Sequence, residues 1–189
     1  MLVGLVLIAI VVLLAVWGIA IYNRLVRLRA LVKEGFSGIT VQLRRRADLV
    51  PNLVSTVQGY AAHEQSVLSE VTAHRADATA AGSVAATAAA DNAFTGMLGR
   101  LIAVAEAYPD LKADDNFRQL QDELSAIEGE LQSARRYYNA TVRDLNTGIQ
   151  SFPDVLFARP LGFTEAEFYA DADASIQQAP KVQFGPAGA

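Results

Sequence analysis

The hydrophobic positions of the chain recur mostly with the period of an α-helix, and no strand pattern competes with it. The pattern begins with an unbroken apolar stretch, residues 1–21, that contains no charged side chain. As a helix rising ~1.5 Å per residue, this stretch spans about 30 Å, the thickness of the hydrocarbon layer of a bilayer. It therefore predicts a membrane span, and we assign residues 1–22 to a single transmembrane anchor.

Basic residues directly after this stretch predict its orientation. Trp17 and Tyr22 lie at its end, and four basic residues follow at once: Arg24, Arg27, Arg29 and Lys33. Because lysine and arginine accumulate on the cytoplasmic side, we expect a single-pass protein of the plasma (inner) membrane, with the N-terminus outside and the body cytoplasmic. A periplasmic or extracellular body is the alternative. A cleavable signal peptide would need a charged leader, a shorter apolar run and a small-residue cleavage site, which the sequence lacks.

After the span, apolar residues at spacings of three and four define helix one, from Leu25 to Val50, which is expected to grow straight out of the span. Pro51 interrupts the pattern, because proline lacks a backbone donor and clashes with the preceding turn. We expect a break at Pro51-Asn52 rather than a kink. Asp48 is the candidate cap of helix two, which continues through Val71 to the region of Gly82.

Two further helices follow. Residues 76–93 are dominated by alanine, which is typical either of a close helix contact or of a mobile hairpin tip. Helix three is predicted to end at Tyr108-Pro109-Asp110, since a residue before proline avoids the helical region. Asp114 is the candidate cap of helix four, whose stripe from Phe117 to Phe152 is nearly that of a coiled coil, with an interruption at Tyr138.

Four amphipathic helices bury their stripes most simply against one another. The predicted fold is therefore all-α, a single N-terminal transmembrane helix followed by an antiparallel up-and-down four-helix bundle with long helices. The bundle is assigned to residues 23–152. A C-terminal tail, residues 153–189, is expected to pack on the bundle or extend from it, with FTEAEFYA as a short amphipathic helix.

Composition narrows the chemistry. The chain has no cysteine, which excludes disulfides, thiolate metal sites and thiol catalysis. Its net charge of −4 hides seven basic residues against one acidic residue between Arg24 and Arg46, followed by an acidic body. An acidic body argues against nucleic acid as a partner. The two histidines, His63 and His74, are expected on one face of helix two but about 16 Å apart, too far to share a metal. We predict no catalytic, cofactor-binding or metal-binding residues.

Two groups of polar residues invite a functional interpretation. Arg44, Arg45 and Arg46 form a candidate partner-binding site, and the alternative is pairing with acidic residues of helix four, Glu123, Glu128 and Glu130, or simple solvation. Asn139 and Asn146 lie beside Tyr138 near the apolar stripe, where each buried amide needs a partner. A structural role for these asparagines is expected, with ligand recognition as the alternative.

Several segments together resemble the LemA family. They are a membrane span followed by YNRLV, then VQLRRRADLVPNLVSTVQGYAAHE, EAYPDLKADDNFRQLQDEL and ARRYYNATVRDLN, and a tail containing FP and PKVQF. The resemblance implies a membrane-anchored helical bundle with a body predicted to be cytoplasmic and no established enzymatic activity. Known relatives include a magnetosome-membrane protein, and some members are encoded beside a membrane metalloprotease.

Two classes of function follow. The first is a non-enzymatic scaffold or adaptor that organises membrane proteins or membrane shape, contacting the bilayer through residues 1–22 and forming homo-oligomers. Its expected contacts are the alanine-rich segment and the basic segment Arg44 to Arg46. The second is an accessory or regulatory subunit of another membrane protein, such as a metalloprotease.

Overall fold

A computed structural model of the chain describes residues 2–61, 63–80 and 82–170, with residues 76–80 described by their backbone alone. These residues form helices and connecting segments without a strand, which confirms the all-α prediction. The helices are α1 (Leu2–Tyr60), α2 (Gln65–Ala80), α3 (Val84–Glu106), α4 (Pro109–Ala113), α5 (Asp115–Gln150) and α6 (Val155–Ala158).

The first helix is continuous from the apolar stretch into the body. α1 has 59 residues, a length of roughly 88 Å. In the part of the chain that the structure describes, α1 is the one helix long and apolar enough to cross a membrane. The most apolar 18 residues of this helix are not buried against the rest of the protein. The prediction that helix one continues directly from the apolar stretch is confirmed.

The predicted break at Pro51 is wrong, because α1 continues through this residue to Tyr60. Proline at position 51 leaves the Ala47 carbonyl, four residues earlier, without an intrahelical N–H donor. Arg75 of α2 donates its Nε–H to that carbonyl at 2.9 Å. Asp48 lies inside α1 and pairs with Arg75 at 3.6 Å instead of capping a helix.

The chain reverses ten residues after Pro51, in the connection between α1 and α2. The Ala61 N–H bonds the Val57 carbonyl, and the Glu64 N–H bonds the Ala61 carbonyl. The predicted helix two is therefore divided, with its first part at the end of α1. His63 lies in this connection, so the prediction that His63 and His74 share a helix face is wrong.

The ends of the later helices follow local sequence signals. Ser83 caps α3, accepting a hydrogen bond from the Ala86 N–H at 3.2 Å. Tyr108 is extended (φ −115°, ψ 96°), and Pro109 opens α4. Asp114 caps α5 by accepting from the Phe117 N–H at 2.9 Å, as predicted. Of the alanine-rich segment, residues 84–93 are helical and residues 76–81 lie outside the described side chains.

The two long helices α1 and α5 lie antiparallel and approach closely at glycines. A Cβ placed on Gly148 of α5 would lie 3.2 Å from the Leu28 Cδ1 of α1. Farther from the span, a Cβ on Gly35 of α1 would lie 3.1 Å from the Cα of Tyr138. Because Gly35 is buried against α5, it allows close contact between the helices.

Three apolar clusters follow one another along this helix pair. The cluster next to the span joins Ile21 and Leu25 of α1 to Leu145 and Ile149 of α5. The middle cluster is built around Ile39, Leu43, Leu131, Tyr138 and Val142. The cluster farthest from the span adds α2 and α3, with Leu53, Val57, Val71, Phe94, Leu101 and Phe117 at its centre.

After α6, residues 163–170 of the predicted tail form no helix and run along α5, so the expected short helix in FTEAEFYA is wrong. We call residues 163–170 the extended segment. Asn146 exchanges two hydrogen bonds with the backbone of Ala166, at 2.8 and 2.9 Å. Asn139 does the same with Tyr169, at 2.9 and 3.1 Å. The side-chain amides of α5 thus bond this backbone, which therefore needs no helix of its own.

Candidate functional site

A buried carboxylate on α3 connects four parts of the chain. Asp91 is fully buried, and its Oδ1 accepts a hydrogen bond from Arg46 of α1. Its Oδ2 accepts one from Arg135 of α5 and another from the Tyr169 hydroxyl at 2.6 Å. We call Asp91, Arg46, Arg135 and Tyr169 the ionic cluster. It fixes α1, α3, α5 and the extended segment relative to one another.

The ionic cluster holds two cations and one anion, and Glu128 beside it completes the charge balance. The fully buried Arg46 also donates to Glu128 at 2.9 Å and to the Thr95 hydroxyl at 3.1 Å. Its guanidinium lies 5.0 Å from the ring centroid of Phe94, within the range of a cation–π contact. Two arginines are thus matched by two carboxylates. Each buried charge has a partner, which is the condition for tolerating it in a protein interior.

Tyr169 acts in the cluster as a neutral donor. Its burial raises the pKa of the hydroxyl well above its ordinary value, and the hydrogen bond to Asp91 raises it further. The guanidinium of Arg135 lies 5.5 Å from the centroid of its ring. The proton therefore stays on the hydroxyl at neutral pH, and Tyr169 binds the carboxylate without adding a charge.

The predicted arginine site is divided by the structure. Arg46 is buried in the ionic cluster and has no surface to offer a partner. Arg45 is exposed and bonds Glu130 and Gln42. Arg44 is exposed at the surface of α1. The exposed part of the basic segment thus consists of Arg44 and Arg45.

The other residues singled out in the sequence lie in structural positions. Asp48 pairs with Arg75, and Pro51 lies within α1, four residues after the carbonyl that Arg75 bonds. Asn52 is exposed, and its carbonyl accepts the hydroxyl of Thr56 at 2.9 Å. Asp110 is in the exposed first turn of α4. Tyr138 donates its hydroxyl to the Glu167 carbonyl at 2.7 Å, beside the asparagine contacts already described.

Sequence reasoning missed three members of the ionic cluster: Asp91, Arg135 and Tyr169. A signal was present for two of them. Asp91 falls three residues before Phe94, and Arg135 falls four after Leu131, so both occupy the apolar register of their helices. A charged residue in that register predicts a buried ion pair. Tyr169 carried no comparable signal, since it belongs to a segment that we predicted to be helical.

Two surface grooves border the long helices. A groove of about 420 Å³ between α3 and α5 is lined by Leu98, Ile102, Leu124 and Glu128 among others. A second groove, of about 700 Å³, lies along α1 and α5 and is lined by Gly38, Val41 and Tyr137 among others. Both are open clefts with largely apolar walls.

Among the described residues, no group of three or more histidine, aspartate or glutamate side chains is arranged to hold a metal ion. The ionic cluster consists of paired, buried charges. It can position helices, and its carboxylate is enclosed by its own partners.

Comparison with known proteins gives a consistent result. A family model described as the LemA family matches residues 35–184. Magnetosome protein MamQ 2 of Paramagnetospirillum magneticum is 28% identical over an alignment covering 81% of this chain and 66% of the relative. Magnetosome protein MamQ of Magnetospirillum gryphiswaldense is 26% identical with the same coverage. The chain thus spans slightly less than two thirds of these relatives.

Proposed function

The chain belongs to the LemA family, and on that premise we propose that it is a membrane-anchored, non-enzymatic scaffold. In this role it holds copies of itself or other membrane proteins at a set distance from the bilayer. The proposed units are the anchor, residues 1–22, an antiparallel helical bundle, residues 23–152, and a tail, residues 153–189. We propose the plasma (inner) membrane as its location, with the body in the cytoplasm.

The continuity of α1 is the observation that carries this proposal. The same helix forms the apolar stretch and one side of the body, without an intervening linker. From Ile21 to Tyr60 it rises about 59 Å. Because α5 lies along this part of α1, the connection is a pair of helices and not a flexible tether. Such a connection transmits position and orientation, which a scaffold needs.

The relatives support a structural role at a membrane. They are named magnetosome proteins, and from that name we draw only the proposal that this chain also acts at a membrane surface. The basic residues after the span support a cytoplasmic body. An Ala126→Cys variant tests this orientation, because Ala126 is exposed on α5 and the chain has no other cysteine. Resistance to an impermeant thiol reagent in intact cells supports the proposal, and ready labelling reverses it.

We propose self-association through the exposed surface of the body. Arg44 and Arg45 are exposed on α1, and the groove along α1 and α5 exposes Val41 and Tyr137. A basic surface that meets an acidic surface of a neighbour gives a head-to-tail contact, which builds rings or filaments. Salt should weaken such a contact.

The test is the state of the full-length protein in its membrane. Val41→Cys places the one thiol of the chain on the groove, and Ala126→Cys serves as a control at a second exposed position. A crosslinked ladder from Val41→Cys, and a salt-sensitive oligomer by mass measurement in mild detergent, support the scaffold. A monomer at low and high ionic strength, without crosslinks, refutes it. Copurification of a different membrane protein in a one-to-one ratio then favours the accessory role, for example beside a metalloprotease.

A further inference from the structure

The segment after α5 folds back onto the end of the apolar stretch of α1. The ring of Phe157 in α6 makes an edge-to-face contact with Trp17, with ring centroids 5.9 Å apart. A Cβ on Gly18 would lie 3.7 Å from this ring. The neighbouring Ala158 is fully buried in the cluster that contains Ile21. The segment therefore contacts α1 within the span itself.

This contact fixes the depth of the segment relative to the bilayer. Gly18 lies about 5 Å before Ile21 along the helix axis. Ile21 is the last residue of the apolar stretch. When α1 crosses the membrane, Phe157 is therefore held at the boundary between hydrocarbon and headgroups, where aromatic rings such as Trp17 are favoured.

The same segment exposes large apolar side chains. Phe152 is 80% exposed and Leu156 60% exposed, the highest values for large hydrophobic residues beyond the apolar stretch in the described part of the chain. Leu161 is 46% exposed. Three such side chains within ten residues indicate a contact with protein or membrane. Because Phe157, the neighbour of Leu156, contacts Trp17, the lipid around the span is the nearest apolar medium.

Polar contacts also hold the segment against α1, at arginines that follow the span. Arg24 donates to Asp154 at 2.9 Å, and the Asp154 side chain is only 7% exposed. Arg29 donates to the Gly162 carbonyl at 3.2 Å, and its guanidinium lies 4.3 Å from the centroid of the Phe163 ring. Arginines at this level suit anionic headgroups. Phe157 thus lies level with the end of the span, and the cations lie just beyond it.

We propose that residues 152–161 form a second membrane contact, which inserts Phe152, Leu156 and Leu161 into the leaflet where α1 leaves the bilayer. The occupant of this surface is lipid: the upper acyl chains and the phosphate headgroups. The inference rests on the proposed anchorage of α1 and adds to it. A single helix can tilt and rotate in a bilayer, whereas a second contact beside it restricts both motions.

Depth-dependent fluorescence quenching tests this inference in the full-length protein. The chain has no cysteine, so Phe152→Cys, Leu156→Cys and Leu161→Cys each give one site for an environment-sensitive fluorophore. The labelled proteins are reconstituted in vesicles of phosphatidylcholine and phosphatidylglycerol, with nitroxide groups either on the headgroup or on the acyl chain. Unchanged thermal unfolding of each variant shows that the exposed replacements leave the fold intact.

Two control positions separate the possible results. Ile10→Cys reports insertion of the span, and Val41→Cys lies on an exposed apolar position of α1, about 30 Å beyond Ile21. We expect severalfold stronger quenching at Leu156→Cys than at Val41→Cys, with a blue-shifted emission. Quenching at Ile10→Cys without quenching at positions 152, 156 and 161 overturns this inference and leaves the anchorage intact. Absence of quenching at all positions overturns the anchorage as well.

A third result would identify another occupant. Fluorophores at positions 152, 156 and 161 could show blue-shifted emission and resist water-soluble quenchers without being quenched by lipid nitroxides. In that case protein covers these positions. That result also refutes the lipid contact.

Discussion

A single carboxylate, that of Asp91, joins residues from four parts of the chain, and its removal has a large expected cost. Asp91→Ala leaves two buried guanidinium groups with only Glu128 to balance them. Breaking a buried ion pair in this way costs about 3–5 kcal/mol. The measurement is chemical denaturation of the wild type and the variant.

Glu130→Ala is the matched control, because it removes the partner of Arg45 from a pair with both side chains about half exposed. Pairs of that kind contribute roughly 0–1 kcal/mol. Similar losses in the two variants would show that the ionic cluster contributes no more than a surface pair.

The buried hydroxyl of Tyr169 predicts a loss of stability in alkaline solution. The folded state raises the pKa of Tyr169, first through burial and then through Asp91, so the folded chain holds this proton more tightly than the unfolded chain. This contribution is complete below the ordinary tyrosine pKa of about 10 and is lost as the pH rises above it. Tyr169→Phe should lower stability at neutral pH and flatten the decline above pH about 10.

Two other tyrosines cause the loss of alkaline stability that persists in Tyr169→Phe. Burial raises the pKa of Tyr138, and a hydrogen bond to Asp114 raises the pKa of Tyr60. Tyr137→Phe, an exposed replacement, is the control variant. An unchanged alkaline slope in Tyr169→Phe would mean that the hydroxyl is not buried as described.

Single residues were predictable where the signal is local. The cap at Asp114 and the end of α3 before Pro109 follow from neighbours within four positions. The ionic cluster needed more, since Arg46 and Asp91 lie 45 positions apart. Helical periodicity shows that a charged residue lies on the inner face of its helix, but it does not identify the residue on the neighbouring helix with which it pairs. We interpreted the surroundings of Asp91 as low-complexity sequence, and so its register was overlooked.

At the scale of helices, Pro51 is accommodated because another helix supplies the missing donor. Arg75→Ala should destabilise the protein by about 1 kcal/mol, since it leaves the Ala47 carbonyl without its Arg75 partner. In a Pro51→Ala background the loss should be smaller, because alanine restores the N–H of position 51. A double-mutant cycle measured by denaturation gives this coupling. Equal losses in both backgrounds would contradict it.

The spacing of α1 and α5 depends on Gly35, although glycine lowers the intrinsic stability of a helix. Gly35→Ala should destabilise the protein by about 1–3 kcal/mol, because the new methyl group would lie against the backbone of Tyr138. Gly38→Ala, one turn later, has open space around it and should stabilise the helix by about 0.5–1 kcal/mol. Thermal unfolding of the two variants should shift in opposite directions. Stabilisation by both changes would contradict a close contact at Gly35.

Two predictions about elements failed for related reasons. Proline was weighed as a helix breaker on local grounds alone, whereas the compensating donor is 28 positions away from Ala47. The extended segment was misinterpreted because Phe163, Ala166 and Tyr169 recur every third residue. That spacing is compatible with a helix face, and the asparagines of α5 that bond the backbone of Ala166 and Tyr169 could not be identified from the segment itself.

At the scale of the whole molecule, the apolar stretch and one side of the body are two parts of one helix, α1. The predicted span and the all-helical character were accessible because both are encoded in hydrophobic periodicity. The pairing of α1 with α5 was not, since nothing in either stripe specifies its partner. The same pairing places the loop after α5 beside the span, which is why the proposed lipid contact emerged only from the structure.

The antiparallel pairing of α1 and α5 also determines the order in which the protein can be completed during synthesis. Leu25 meets Leu145 and Ile149, which the ribosome adds about 120 residues later, or roughly 6–24 s at ordinary elongation rates. The α2–α3 hairpin can cover the far end of α1 earlier. The half of α1 next to the apolar stretch must wait for α5, and a ribosome that stalls before residue 115 leaves the inner face of this half uncovered.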